Sequence, residues 1–167
     1  RVPFIIRWKG RLPEGRVDRR PIIQLDVLPT ALAAAGVEPK ADWKLDGVDL
    51  LPYLTGKLQE APHEALYWRL FAHMAIRKGA WKLVKTTEGP LLVADTSQPD
   101  LSGAQLFNLA EDIGEKNDLA AAHPEKVKEL AADWLRWSKE MAKPLWTPGA
   151  GGRGRGAAPS TGERRQH

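Results

Sequence analysis

Met74-Ala75-Ile76-Arg77-Lys78-Gly79-Ala80-Trp81-Lys82-Leu83-Val84 is the stretch that decides the fold of the chain's second half. Apolar positions alternate on both arms and a glycine falls in the turn between them, the pattern of a β-hairpin with one buried face. Working outward, Ala65 to Arg69, Leu91 to Ala94 and Gln105 to Leu109 read as further short strands, so Ala65–Leu109 is expected to form a small antiparallel sheet. Beyond it, Pro124 to Ala142 carries the clearest helical period in the chain. Val127, Leu130, Trp134, Trp137 and Met141 share one face, and Lys128, Glu129, Asp133, Arg136 and Lys139 share the other. Pro124 suits a first helical turn, with Glu125 and Glu129 near the positive end of the helix. An apolar stripe of this kind needs a surface to dock on, and the small sheet is the nearest.

The first third reads differently. Val2-Pro3-Phe4-Ile5-Ile6-Arg7-Trp8 is a nearly continuous apolar run ended by Lys9-Gly10, as in a strand covered on both faces of an α/β sheet. Arg11 to Arg20 is a polar loop. Gln24 to Gly36 predicts a helix with Asp26 as N-cap, Pro29 where its missing N–H has no partner to lose, and Gly36 as the stop. Leu25, Leu28 and Leu32 fall at helical spacing and are expected to face a core. Leu50 to Leu54 reads as a short helical turn. The fold class is therefore α/β, with residues 1–60 carrying the strand–loop–helix unit expected at one end of a parallel α/β sheet, 61–146 as a small antiparallel sheet with a packed helix, and 147–167 as a disordered basic Gly/Arg tail.

The chain has 167 residues and no cysteine, which removes disulfides, Cys-ligated metals and thiol nucleophiles. The tail holds four arginines and one glutamate, so residues 1–146 carry 21 basic and 20 acidic side chains and are nearly neutral. A nucleic-acid partner is not expected from a near-neutral body and two Arg–Gly units at Arg153 and Arg155. No apolar run approaches the ~20 residues of a membrane span. The chain opens on Arg1 inside an apolar run, and we expect it to be a piece of a longer polypeptide. Left without neighbouring strands, Val2–Trp8 should make the isolated piece only marginally stable.

Glu111, Asp112, Glu115 and Asp118 fit no calcium-loop register, because Gly114 stands seventh from Asn108 rather than sixth, and they read as turn residues. His123 reads as a capping-region residue. Trp68, Trp81, Trp134 and Trp137 suggest a sugar-stacking platform on composition, yet a sheet–helix core explains at least three of them.

In order along the chain, Arg1 to Gly10, Leu25-Asp26-Val27-Leu28-Pro29-Thr30 through Gly36, Leu45-Asp46-Gly47-Val48-Asp49-Leu50-Leu51-Pro52, the hairpin with its Arg77, Gly79, Trp81 and Lys82, Gln105 to Leu109, and Glu115 to Ala120 together resemble the C-terminal part of the sulfatases, in the alkaline-phosphatase-like superfamily. The resemblance covers about residues 1–142. It implies a fold in which the C-terminal edge of a large α/β domain is followed by a small antiparallel sheet packed by a C-terminal helix. It further implies a sulfuric ester hydrolase that uses calcium and a formylglycine made from Cys or Ser in a Cys/Ser-x-Pro-x-Arg motif, in an exported parent enzyme. The nearest serine context, Ser97-Gln98-Pro99-Asp100-Leu101, has leucine where arginine is required. No catalytic or metal-ligating residue is therefore assigned to this chain, and calcium, formylglycine and the catalytic machinery are expected upstream in the same polypeptide. Arg69 and His73 are the candidate contacts to a sulfated small molecule or glycan, since cationic groups beside a cleft suit sulfate. The alternatives are a stand-alone module binding a glycan or polyanion, and a fragment of a related phosphonate or phosphodiester hydrolase.

Overall fold

A computed structural model describes residues 2–86 and 101–142. The expected strand at Leu91 to Ala94, the Ser97 context and the tail lie outside the described residues. The chain forms two compact units, Arg1–Leu66 and Tyr67–His167.

In the second unit the hairpin pattern folds as its alternation dictates. A four-stranded sheet runs in the order β1 (Ala65–Leu70), β2 (His73–Lys78), β3 (Trp81–Lys85) and β4 (Gln105–Asn108). β2 and β3 pair antiparallel with Ile76 opposite Leu83, and β3 and β4 pair with Leu83 opposite Leu106. Gly79, at φ +59, opens the two-residue turn between β2 and β3, a backbone conformation that glycine adopts without steric cost. Helix α3 (Pro124–Glu140) lies on this sheet. Ile76, Leu83, Leu106, Leu130 and Trp134 form the fully buried core between them. The Trp134 indole donates to the Trp68 carbonyl at 3.1 Å, so the largest core side chain is also satisfied as a donor. Lys78, on the same sheet face as Ile76, reaches Asp133 of α3 at 2.8 Å. That contact holds the Asp133 carboxyl below the usual range.

The first unit is built differently. Helix α1 (Val27–Ala34) follows a short 3-10 turn (Gln24–Asp26) and ends at Gly36, φ +68, as expected. Helix α2 (Leu51–Leu54) is the short turn read from the sequence. Two expectations are corrected. Val2–Trp8 forms no strand: it has no sheet partner among the described residues, and Ile5 is 90% exposed. Leu25 and Leu28 do not face a core but stand about half exposed, while Pro29 and Thr30 on the other side of α1 are buried. An apolar run becomes a strand only beside another strand, and among the described residues Val2–Trp8 has none. Helix α1 packs against α2 and the Leu50 backbone through the Pro29 and Thr30 side, which leaves Leu25 and Leu28 on the outer side.

Cation-mediated staples hold the loop regions of the unit. Arg20 donates to the carbonyls of Tyr53 at 2.9 Å and of Leu58 and Glu60 at 3.1 Å. Its Nε bonds Asp18 at 3.0 Å. The Arg20 guanidinium pulls the Asp18 carboxyl from 3.8 to about 2. A depressed carboxyl stabilises the fold fully above its unfolded value and loses that contribution as pH falls toward the folded value. Asp18→Asn is therefore expected to lower the thermal midpoint at pH 6 and to leave it nearly unchanged at pH 2. An offset constant across that range would contradict the assignment.

Candidate functional site

The two candidate side chains, Arg69 and His73, lie on opposite faces of the small sheet. Arg69 faces α3, donating to the Ser138 hydroxyl at 3.1 Å and to the Ser138 and Ala142 carbonyls at 3.4 and 2.8 Å. The reason lies in how the helix ends: Met141 is extended, at φ −80 and ψ 138, so no left-handed cap takes up the last carbonyls and a guanidinium does so instead. His73 precedes Met74 in β2. Met74, Ile76 and Lys78 face α3, so strand alternation puts His73, Ala75 and Arg77 on the face away from the helix. The structure thus does not bring Arg69 and His73 together.

It brings together three other residues. Asp26 is 0% exposed, yet its carboxylate is fully engaged. Oδ2 accepts the Ile23 N–H at 2.9 Å and Oδ1 the Val48 N–H at 3.0 Å. The His63 ring approaches through Nε2, at 2.8 Å from Oδ1 and 3.0 Å from Oδ2. With a carboxylate as acceptor, that nitrogen carries the hydrogen. One turn on, the Thr30 hydroxyl donates to the Asp26 carbonyl at 2.6 Å and accepts the Leu50 N–H at 2.9 Å. Asp26 and Thr30 therefore clamp the backbone at Val48 and Leu50. Gly47 makes the approach possible, since a Cβ there would lie 2.1 Å from the Leu25 carbonyl oxygen. The expectation of Asp26 as an N-cap is corrected accordingly. It occupies the N-cap position of α1, but its side chain makes no cap bond to α1: it reaches back to the Ile23 N–H at the start of the preceding 3-10 turn and across to Val48 and His63. Chemically this arrangement fixes geometry: a buried anion holds one imidazole nitrogen and two loop amides in place.

Other side chains singled out above take structural positions. Asp112 accepts the Lys116 and Asn117 N–H groups at 2.7 Å each, and the Asn117 contact lowers its pKa. Asp118 accepts the Leu106 and Ala120 N–H groups at 3.0 and 2.9 Å, and Glu115 pairs with Lys82. These are turn and edge contacts, as read from the sequence. The His123 ring packs against Trp81 at 5.2 Å. Trp134 is buried and Trp137 stacks on Tyr67 at 5.1 Å. An open cavity of about 490 Å³ beside α1 mixes Lys40 and Lys44 with Glu38 and Asp49. Among the described residues no group of three or more His, Cys, Asp or Glu side chains could hold a metal ion.

No family model matches the chain. It is 30% identical to the uncharacterized sulfatase YdeN of Escherichia coli over 77% of its own length and 27% of that protein. It is 29% identical to the steryl-sulfatase of Mus musculus, over 97% of this chain and 32% of that protein. Among solved structures, Ps i-CgsB superposes with a TM-score of 0.65 at 27% identity, covering 84% of this chain and 29% of the other. That protein has also been solved in complex with k-i-k-neocarrahexaose. The chain thus spans between about a quarter and a third of the length of the relatives it matches.

Removing the Asp26 carboxylate strands two backbone donors and the imidazole, so Asp26→Ala is expected to cost about 3–5 kcal/mol. Thr30→Val, which strands one amide, should cost about 1–3 kcal/mol. The double variant should cost less than their sum, because both clamp one segment. Urea unfolding of the three variants measures this, and a loss under ~1 kcal/mol for Asp26→Ala would contradict the clamp.

Proposed function

We propose, on the premise that the chain belongs to the sulfatases over the part of their fold that it spans, that it is a non-catalytic section of a sulfuric ester hydrolase. In this reading residues 1–60 complete the edge of the main α/β domain and residues 61–146 border the substrate cleft. The nucleophile and the metal ligands belong to the upstream part of the same polypeptide.

One observation carries the reading. The first unit buries Asp26, Thr30 and Leu50 at its centre while leaving Val2, Ile5, Leu25 and Leu28 exposed. A self-sufficient domain does the reverse, because burying one such side chain contributes roughly 1.5–3 kcal/mol. The fitting cover for these exposed side chains is the catalytic body, since the relatives are three to four times longer than the stretch matched here.

Sulfate-ester cleavage needs an activated nucleophile, charge stabilisation for the transferring group, and help for the leaving oxygen. The chain has no cysteine, and among the described residues no group of three or more His, Cys, Asp or Glu side chains could hold a metal ion. What its own residues do is position. Asp26 fixes His63 and the Val48–Leu50 segment, and Arg69 ties β1 to the end of α3. His73, on the helix-free face, is the substrate-side candidate of the original pair. For the substrate we take a sulfated glycan, supported by the oligosaccharide complex of Ps i-CgsB, with a sulfated small molecule such as a steryl sulfate as the rival.

Residues 1–167 with calcium are expected to hydrolyse 4-methylumbelliferyl sulfate no faster than buffer. A polypeptide extended upstream through a Cys/Ser-x-Pro-x-Arg motif should turn it over. Turnover by 1–167 alone, abolished by a single substitution in it, would contradict this reading. A natural start immediately before Arg1 would favour the stand-alone binding module.

A further inference from the structure

Residues 1–146 are nearly neutral as a whole, but their charge is segregated. Residues 7–20 hold six arginines and lysines against two carboxylates, whereas residues 21–146 hold 14 basic and 18 acidic side chains. The basic stretch is a loop of the first unit with a fixed base. Arg16 donates to the Leu54 carbonyl at 3.0 Å, and Arg20 is held by Asp18 and by the Tyr53, Leu58 and Glu60 carbonyls. At the other end, the Arg11 and Leu12 N–H groups both donate to the Trp8 carbonyl at 3.0 Å, closing a turn in which Gly10 stands at φ +76. The Arg11 guanidinium lies over the Trp8 ring, 5.5 Å from its centroid. The remaining cations, Arg7, Lys9 and Arg19, are exposed and have no hydrogen-bond or ion-pair partner among the described residues. Asp18 is paired with Arg16 and Arg20, so the loop's own acids do not offset these three. Val17, between Arg16 and Asp18, is 77% exposed.

We propose that this loop, residues 7–20, is a docking surface for an anionic phospholipid membrane. Unpaired cations are costly to bury, so the loop stays in water whatever covers the apolar side chains of the same unit. Arg7, Lys9 and Arg19 are thereby free to meet lipid phosphates and carboxylates, each cation adding to the attraction of a negatively charged leaflet. The exposed Val17 decides between partners. A nucleic-acid backbone would take up the cations and give that side chain no apolar cover, whereas the boundary between headgroups and acyl chains accommodates both, together with the Trp8–Arg11 pair. The anchored base at Arg16 and Arg20 keeps the loop in one shape, so little ordering is lost on contact. The proposal does not depend on the sulfatase reading.

The test measures co-sedimentation of the full chain with vesicles of phosphatidylcholine alone and of phosphatidylcholine with about 30% phosphatidylserine, at low and high salt. Binding to the anionic vesicles is expected to exceed binding to the neutral ones at least tenfold, and to fall about tenfold between roughly 50 and 300 mM NaCl. The triple variant Arg7→Gln, Lys9→Gln, Arg19→Gln is expected to lose at least tenfold in binding with an unchanged thermal melt, because these side chains hold no other part of the structure. The charge-keeping variant Arg7→Lys, Lys9→Arg, Arg19→Lys should stay within about threefold of the wild type. Replacing Arg153, Arg155, Arg164 and Arg165 by glutamine should also stay within about threefold. Equal binding to both vesicles assigns the contact to exposed apolar side chains and overturns the proposal. Binding that survives the triple glutamine variant, or that is lost as fully in the tail variant, overturns it as well. So does failure to bind the anionic vesicles, whether or not the chain binds single-stranded DNA.

Discussion

The first unit depends on one buried carboxylate. Asp26 takes hydrogen bonds from Ile23, Val48 and His63, which lie 3, 22 and 37 residues away in sequence. An isolated buried carboxylate is among the most costly groups a fold can contain, and three donors at 2.8–3.0 Å offset that cost only if all are present. The arrangement is therefore close to all-or-none. It explains why Leu25-Asp26-Val27-Leu28-Pro29-Thr30 and Gly47-Val48-Asp49-Leu50 belong together: the first supplies the acceptors, the second the backbone donors, and Gly47 the close approach.

A polar centre with an apolar exterior is an unusual way to build an independent domain and a natural way to build a section of a larger one. The second unit shows the contrast. There Ile76, Leu83, Leu106, Leu130 and Trp134 are sealed between sheet and helix. Its charged residues serve edges and ends: Lys78 on Asp133, Lys82 on Glu115 and Arg69 on the last turn of α3. The second unit thus has an apolar core, whereas the first centres on hydrogen-bonded Asp26 and Thr30.

Much of the second unit was legible in the sequence because its signals are local. Alternation in Met74–Val84 fixes which side chains share a face, and the 3.6-residue period from Val127 to Met141 fixes the docking side of α3. The first unit was less legible because its decisive contacts are long-range. Nothing near Asp26 in sequence distinguishes an N-cap from an acceptor for an amide 22 residues away. Val2–Trp8 has the composition of a strand, but pairing is a property of two segments. Arg69 had the charge of an anion contact, yet uncapped carbonyls at a helix end attract a guanidinium equally well. That Trp68, among the described tryptophans of the second unit, would be left outside the sheet–helix core followed from the faces taken by its two neighbours, which composition does not contain.

Native-state amide hydrogen exchange on the whole chain tests the central claim most directly. The Val48 and Leu50 amides should exchange only on unfolding of the first unit, as the slowest in it, while the amides of Phe4 to Ile6 exchange near the unfolded rate. Protected amides at Phe4 to Ile6, or Val48 and Leu50 exchanging as fast as those loop amides, would contradict a unit held by the Asp26–Thr30 clamp with its apolar side left open.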